Sequence, residues 1–384
     1  MSEPFVYDPA RLDFADRAFD IYRRLRDEHR VYHNPERRFY ALSRFEDVRA
    51  AANEPVLFSS ENTSISQGLL PTIQSLDPPR HDALRSLVNK VFTPRRVAAM
   101  EPRIREIAAE LAGFLARRGG GDLLHAFASQ IPSRVIGEMI GVPPERREAF
   151  LGWTEAMVAL DPAGIADPKR LLGPATQIYA EFTKLLAERR DRRRDDLMSA
   201  LLDAELGGVS LSDEELLGFC FVLIVAGNDT TTNLIANGAV RLAQHPEQRA
   251  LLVREPARIP GAVEEMLRYD SPAQTLPRRV TRDVVLHGVP VPAGAELMLV
   301  WGAANHDERE FEDPERFDVS RPVRRHLAFG QGIHFCIGSH LARLEARLAF
   351  EELLARLPGY RLAAPPRWVT STWARAYAAV PVEG

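Results

Sequence analysis

Cysteine is nearly absent from the chain: its 384 residues hold only Cys220 and Cys336. One lies in an apolar run and the other in a glycine-rich loop, which argues against a disulfide framework and fits a reducing compartment. Two cysteines cannot hold an iron–sulfur cluster, and no spaced Cys/His set is present to build a zinc site. An excess of one charge is also missing. Lys plus Arg number 49 against 53 Asp plus Glu, a formal net charge of −4, so there is no electrostatic case for nucleic acid as a partner. No apolar stretch is long enough to cross a bilayer. The longest run, Leu216 to Ala226, reads as a buried helix segment. Met1 to Phe14 carries Glu3, Asp8 and Asp13 and lacks the apolar centre of a signal peptide. The expectation is a cytoplasmic protein that does not engage a membrane. Internal repeats and low-complexity segments are absent as well.

What is present is mostly helical periodicity. It predicts helices over Ala18–His29, His81–Val91, Arg95–Arg117, Leu123–Ile140, Gln177–Arg193, Ile259–Tyr269 and Ser339–Arg356. Short strand-like pieces fall near the N-terminus (Val31–His33, Phe39–Ser43) and late in the chain (Val284–His287, Glu296–Val300, Tyr377–Val380). Gly119 to Gly121 reads as a turn between helices, and the mixed-sign run Arg189 to Asp196 as a solvated helix end. The pattern predicts one mainly α domain with a small β region, spanning residues 1–384.

One helix departs from ordinary patterning. Ser212 with Glu215 forms a capping box, and no proline follows until Pro246. That predicts roughly thirty helical residues, well above the usual globular length. The first half is apolar (Leu216, Phe219, Val222, Ile224, Val225), so it should cross the core. The pattern then breaks at Ala226-Gly227-Asn228-Asp229-Thr230-Thr231-Thr232. Gly inside a helix costs roughly 1 kcal/mol against Ala, and a polar cluster in the core must find partners. A purely structural helix has little reason to carry it, although a kinked helix with back-bonded Thr hydroxyls is the bland alternative.

The strongest signal is the loop from Phe329 to Gly338, which contains Gly330, Gly332, His334 and Cys336 and runs into the amphipathic segment Ser339–Arg356. Glycines permit close backbone approach and positive φ. Cys336 stands just before a helix N-terminus, where the dipole and free N–H groups favour a thiolate. Such a thiolate is either a nucleophile, with His334 the only near base, or the sole protein ligand of a metal already held by something else. A haem thiolate needs a glycine loop, N–H groups that tune the sulfur and a bulky apolar neighbour such as Phe329. The loop offers all three.

At this point the sequence resembles the bacterial cytochromes P450. The loop matches F-G-x-G-x-H-x-C-x-G at every specified position, which is very specific. The segment Ala226 to Thr231 is similar to the oxygen-binding stretch of the family's long central helix. Glu265-Met266-Leu267-Arg268 matches E-x-x-R, and Pro314-Glu315-Arg316-Phe317 the segment that packs on it. E-x-x-R alone is weak, but these motifs fall in the family's order over nearly the whole chain.

The resemblance implies the P450 fold, haem b as cofactor and O2-dependent monooxygenation, with Cys336 as the iron ligand. Phe329, Gly330 and Gly338 would belong to the haem-binding loop. Glu265, Arg268 and Arg316 would form a buried network beneath the haem. The propionates need cations, and His81, Arg85, Arg278 and His334 are the candidates; Arg80, Arg279 and Arg282 read as surface charge. Ala226 and Gly227 would leave room above the iron. Asp229 and Thr230 would supply the protons that O–O cleavage requires. Asn228 departs from the most familiar version of the stretch, and its side chain points either into the pocket or back into the helix. The pocket wall would include the Thr63–Leu70 loop, with Leu69, and also Val222, Val225, Gln274, Leu276 and Trp373. Trp373 is equally consistent with a plain core role.

The implied substrate is a mainly apolar small molecule. With no flavin or iron–sulfur domain in the sequence, electrons would come from a ferredoxin- or flavodoxin-type donor with its reductase. Lys90, Arg95, Arg96 and Arg343 are candidates for its docking surface. A peroxide-driven peroxygenase is the competing enzyme, but such members tend to lack the pair that Asp229 and Thr230 provide. A non-catalytic haem protein would typically have lost the cysteine or the helix motif. A Cys–His hydrolase is the remaining reading to exclude.

Overall fold

Apolar side chains recurring at helical spacing set most of the architecture. In the computed structural model, which describes residues 5–158, 168–206 and 209–384, α1 (Phe14–Glu28) turns Phe14, Ala18, Tyr22 and Leu25 into the core. It leads to β1 (Tyr32–Asn34), β2 (Phe39–Leu42), α2 (Phe45–Ala52) and β3 (Phe58–Ser59). Next come α3 (Arg80–Val91), α4 (Pro94–Ala99), α5 (Glu101–Arg117), β4 (Gly120–Asp122), α6 (Gln130–Ile140), α7 (Pro144–Val158) and α8 (Pro168–Asp191). After α9 (Leu197–Leu202) and the hairpin β5 (Glu205–Leu206) and β6 (Val209–Ser210), the 32-residue α10 (Asp213–Gln244) crosses the molecule. Beyond it lie α11 (Pro246–Arg254), α12 (Ile259–Tyr269), β7 (Leu276–Val280), β8 (Val284–Leu286), β9 (Val289–Val291) and β10 (Glu296–Leu299). The chain closes with α13 (Trp301–Ala304), α14 (Ser339–Arg356), β11 (Arg361–Leu362), β12 (Arg367–Trp368), β13 (Tyr377–Ala379) and β14 (Pro381–Glu383).

The largest sheet runs β1-β2-β10-β7-β3, with only the β2–β10 pair parallel. Its inward side chains, among them Leu297 and Leu299, are fully buried. A second sheet, β11-β14-β4, ties the C-terminus to the end of α5. The largest apolar core joins α5, α6, α10, α12 and α14.

The central helix follows its sequence closely. Ser212 and Glu215 form the capping box, and 32 residues at 1.5 Å each give a length of about 48 Å. Unlike the apolar run Leu216 to Ala226 alone, the whole helix is long and apolar enough to cross a membrane, but 78% of its apolar window is buried inside the fold, as in a core helix. Between Gly218 and Val240 every residue is buried except Val225, Ala226, Gly227 and Thr230. These four line an internal opening halfway along the helix.

Other expectations need correction. Arg95–Arg117 is two helices, because Pro102 occupies the first turn of α5, where its missing N–H needs no partner. Leu123–Ile140 opens with a wide turn in which the Ser129 amide donates to the Leu124 carbonyl oxygen. Gly120 to Asp122 is not a turn but strand β4, paired with β14. Gly120 has φ +130, and a Cβ there would strike the Val382 carbonyl oxygen, so only glycine lets the strands meet. The run Arg189 to Asp196 is not wholly solvated. Arg189 is fully buried, pairing with Asp196 at 2.5 Å and donating to the Gly141 carbonyl oxygen at 2.8 Å. The N-terminal residues 1–4 and the Lys90 side chain lie outside the described residues.

Candidate functional site

Cys336 sits where a loop meets a helix. The Cys336 amide donates to the Phe329 carbonyl oxygen at 2.9 Å, and the Leu327 amide to Asn305 Oδ1 at 2.7 Å. Gly330 and Gly332 both take positive φ, and a Cβ on Gly332 would collide with the Ala52 carbonyl oxygen. Gly338 is the N-cap of α14. Burial pushes the Cys336 thiol up, while the Gly338 amide, Arg85, Arg343 and the Ser339 amide pull it back toward the thiolate. Cys220 has no such relief: burial drives its thiol up to about 12. Phe329 lies beneath the Arg343 guanidinium at 4.4 Å. Among the described residues no group of His, Cys, Asp and Glu could hold a metal, so Cys336 stands alone.

Four nitrogen-bearing side chains converge beside this loop from three separate segments. His81 and Arg85 come from α3, Arg278 from β7, and His334 from the loop. The His81 and His334 rings meet edge to face at 4.6 Å. Arg85 donates to the Phe335 carbonyl oxygen at 2.7 Å, and Arg278, 7% exposed, donates only to its neighbour's carbonyl oxygen. None of Arg85, Arg278 and His334 has a carboxylate partner among the described residues, while His81 Nδ1 meets the exposed Asp82 at 2.9 Å. His81 Nε2 and His334 Nε2 are buried without any partner among the described residues. Burial, then Arg278, His81 and Arg85, push His334 down to about 3. Burial lowers Arg278 to about 10, partly opposed by Asp77. Guanidinium groups without a carboxylate, beside imidazole nitrogens without a partner, call for an anionic acceptor between them.

Across the opening, α10 presents its polar break. Thr230 Oγ1 donates back to the Ala226 carbonyl oxygen at 2.7 Å. Asn228 points neither into the opening nor along its own helix. Its amide donates to Thr154 Oγ1 of α7 at 2.8 Å and lies 3.4 Å from Asp229 Oδ1. Asp229 is 5% exposed, with Oδ2 unpartnered. Burial, then the charge of Glu155, raises it to about 8, partly opposed by Thr154. The missing Cβ of Gly227 would meet Ile136 of α6 at 3.3 Å. Its small size therefore lets α6 pack closely, and Ala226 is left to keep the opening clear.

Beneath the loop, Glu265 and Arg268 are both fully buried and pair at 2.7 Å. Arg268 also donates to the carbonyl oxygens of Asn305 and Pro314, each at 2.9 Å. Arg316 is not the third member. Its side chain is 64% exposed and pairs with Asp318 and Asp313. Arg321 takes the position, reaching Glu265 at 3.2 Å with 12% exposure. The turn after Phe317 directs Arg321 inward, because the Asp318 amide also donates to Glu265.

The expected pocket wall is partly rearranged. Leu69, Val222, Val225 and Ala226 pack in one apolar cluster with Ile337 of the cysteine loop. Leu276 packs against the core of the large sheet. Trp373 packs with Val369, Ala374 and Ala376. Gln274 does not present its amide to a ligand: Oε1 accepts from Tyr22 at 2.6 Å, and Nε2 donates to the Ser271 carbonyl oxygen. Sequence reasoning missed Tyr179, which stacks on Phe221 at 4.8 Å and accepts from the Leu70 amide at 3.2 Å, fixing the end of the Thr63–Leu70 loop. It also missed Thr154, Arg321 and the buried Glu345; none of these carries a local motif.

The site sets a lone cysteine at a helix N-terminus opposite a broken central helix, and the chain has known relatives. Residues 173–358 match the family model for cytochrome P450. Cytochrome P450 107B1 of Saccharopolyspora erythraea is 39% identical over 363 residues, 89% of this chain and 88% of its own. The vitamin D(3) 25-hydroxylase of Pseudonocardia autotrophica is 40% identical over 339 residues, 86% of this chain and 83% of its own. The structure of CYP109Q5 from Chondromyces apiculatus superposes with a TM-score of 0.91 at 38% identity, covering 98% of this chain and 97% of that one.

The chain belongs to the cytochrome P450 family. It is a haem monooxygenase with haem b as its cofactor, and its fold is the P450 fold. The residues present fit that group: a flat macrocycle with two carboxylates answers both the unpartnered His nitrogens and the unpaired guanidinium groups.

Proposed function

We propose that this P450 hydroxylates a mainly apolar small molecule with O2, that residues 1–384 work as one haem domain, and that electrons arrive from a ferredoxin- or flavodoxin-type donor with its reductase. The observation that carries the reading is the α10 break. Four residues keep open surface there, and a proton-bearing carboxyl stands directly behind them.

When bound, the thiolate-ligated haem supplies an electron-rich iron that favours O–O cleavage. Cys336 would hold the iron, and His81, Arg85, Arg278 and His334 would hold the propionates. Val222, Val225, Ala226 and Leu69 exclude water and fix an aliphatic surface for the substrate. Both amides expected from the sequence, Gln274 and Asn228, are engaged inside the protein. The pocket therefore offers fewer polar handles than its composition suggests, which supports a substrate oriented chiefly by shape. The relative named as a vitamin D(3) hydroxylase acts on a substrate of that apolar kind.

Thr230 can release Ala226 and donate its hydroxyl proton to the reacting dioxygen, and Asp229 then restores that proton. A carboxyl near 8 is mostly protonated at neutral pH and still able to give its proton up, as a general acid should be. A peroxide-driven enzyme has no use for this pair. The donor would dock on the face of the cysteine loop, where Phe335 is 39% exposed and Arg95 is exposed. The cytoplasm, where reduced donors and a free thiol both persist, is the proposed location.

Thr230→Ala tests the reading. It should keep substrate binding and haem reduction but release peroxide in place of product. A Thr230→Ala enzyme that converts reducing equivalents to product as efficiently as the parent contradicts it. A ligand screen that follows the haem absorption band should give shifts with apolar compounds; shifts only with highly charged ones would contradict the substrate class.

A further inference from the structure

Asp229 must be reloaded with protons from outside, yet it is buried on a helix that crosses the core. Among the described residues no Lys, Arg or His pairs with it. Its flank is closed by α7, which packs on α10 through the Asn228–Thr154 hydrogen bond. The next residue on α7, Glu155, is exposed to solvent and has no ion pair or hydrogen bond of its own among those described.

We infer that Glu155 is the solvent-side group that relays protons to Asp229, and that the Asn228–Thr154 hydrogen bond holds the two carboxyls together at the α7–α10 crossing. The inference rests on the reading of Asp229 and Thr230 as the proton path. Each inward step is balanced. A hydronium ion or buffer acid at the surface protonates the Glu155 carboxylate and leaves water or the buffer base in solvent. Glu155 passes that proton, directly or through a water, to the Asp229 carboxylate left after Asp229 has reloaded Thr230. Glu155 returns to its carboxylate and one proton has moved inward.

The charges around the pair favour this direction. Although its outer surface is exposed, partial burial raises Glu155 from the ordinary glutamate value, and the charge of His125 opposes the shift. His125 is itself tied to Asp122 at 2.8 Å, beside β4. Asp229 is raised to about 8, and among the described residues Glu155 is the one charged group acting on it. From α14, Glu345 lies against Thr231, two residues farther along α10 than Asp229. A proton entering at Glu155 therefore moves toward the stronger base. A cation in place of Glu155 would instead stabilise the Asp229 carboxylate and leave it a poor donor.

The test uses the haem-loaded resting enzyme and the infrared C=O band of the protonated Asp229, assigned by its loss in Asp229→Asn. In Glu155→Gln the band should titrate at a lower pH than in the parent, because the charge that helps raise Asp229 is gone. Exchange of its proton for deuterium should slow several-fold, with an unchanged melting temperature. Glu155→Asp should retain most of the exchange rate. Thr154→Val, which removes the clamp and leaves both carboxyls, should also slow exchange. An unchanged midpoint and exchange rate in Glu155→Gln would overturn the inference. Thr230→Ala, run in parallel, separates the two claims. If it releases peroxide while Glu155→Gln exchanges normally, the proton path stands and the role of Glu155 falls. If it stays coupled, the path itself falls.

Discussion

Asp229 and Glu345 are carboxyls kept protonated by burial, each raised to about 8, with Thr231 partly opposing the shift at Glu345. An unfolded chain releases both protons above roughly pH 4. Between that pH and about 8 the folded state binds more protons than the unfolded one, so stability falls as pH rises through this window. Asp229→Asn should flatten part of the slope. Near pH 8 the variant should be more stable than the parent by at least about 1.4 kcal/mol, the equivalent of one pKa unit, and below pH 4 the two should match. Thermal unfolding across pH 4 to 9 reads this directly, and parallel curves would contradict it. At this scale the sequence was legible where chemistry is local. Cys336 in its loop and the polar break at Asp229 and Thr230 need no tertiary information. The directions of Asn228 and Gln274 were not legible, because Thr154 and Tyr22, which decide them, lie 74 and 252 residues away.

Among the elements, α12 and α14 run over the residues their patterns predict, Ile259–Tyr269 and Ser339–Arg356. Their apolar stripes and end signals agree, and both pack into the largest core. Helices such as α7 and α11 were not legible, since charged residues interrupt any apolar stripe. Strand β7 was hidden by Pro277 and two arginines. It tolerates the proline because β3 pairs only with Val280 and Arg279, leaving the Pro277 level open on that side. The segment after α13 is pinned by α12, and this carries a prediction. Arg268→Ala leaves Glu265 buried with only Arg321 beside it and should cost roughly 3–5 kcal/mol, giving mostly haem-free protein. Arg316→Ala should change stability by no more than about 0.5 kcal/mol, as an exposed position does. Haem content and melting temperature of the two variants check the assignment, and the reverse ranking would restore Arg316 to the network.

For the whole molecule, the telling feature is convergence. His81, Arg85, Arg278 and His334 come from three segments of the chain, and spacing alone could suggest but not assemble them. The face around the loop also bears on electron supply. Arg343 is tied to Glu264 at 2.7 Å, whereas Arg95 is exposed. Arg95→Glu should therefore slow reduction by an acidic donor more than Arg343→Glu, and the difference should shrink as salt rises. Stopped-flow reduction across ionic strength measures it. Rates independent of both salt and substitution would remove this face as the docking surface.

All of these expectations depend on Cys336 being the thiolate that holds the haem iron. The absorption spectrum of the reduced protein with CO tests that claim most directly. The parent and Cys220→Ser should both show the thiolate-type band, and Cys336→His should lose it while keeping its bound haem. A Cys336→His protein that retains the band, or a Cys220→Ser protein that loses it, would contradict the assignment.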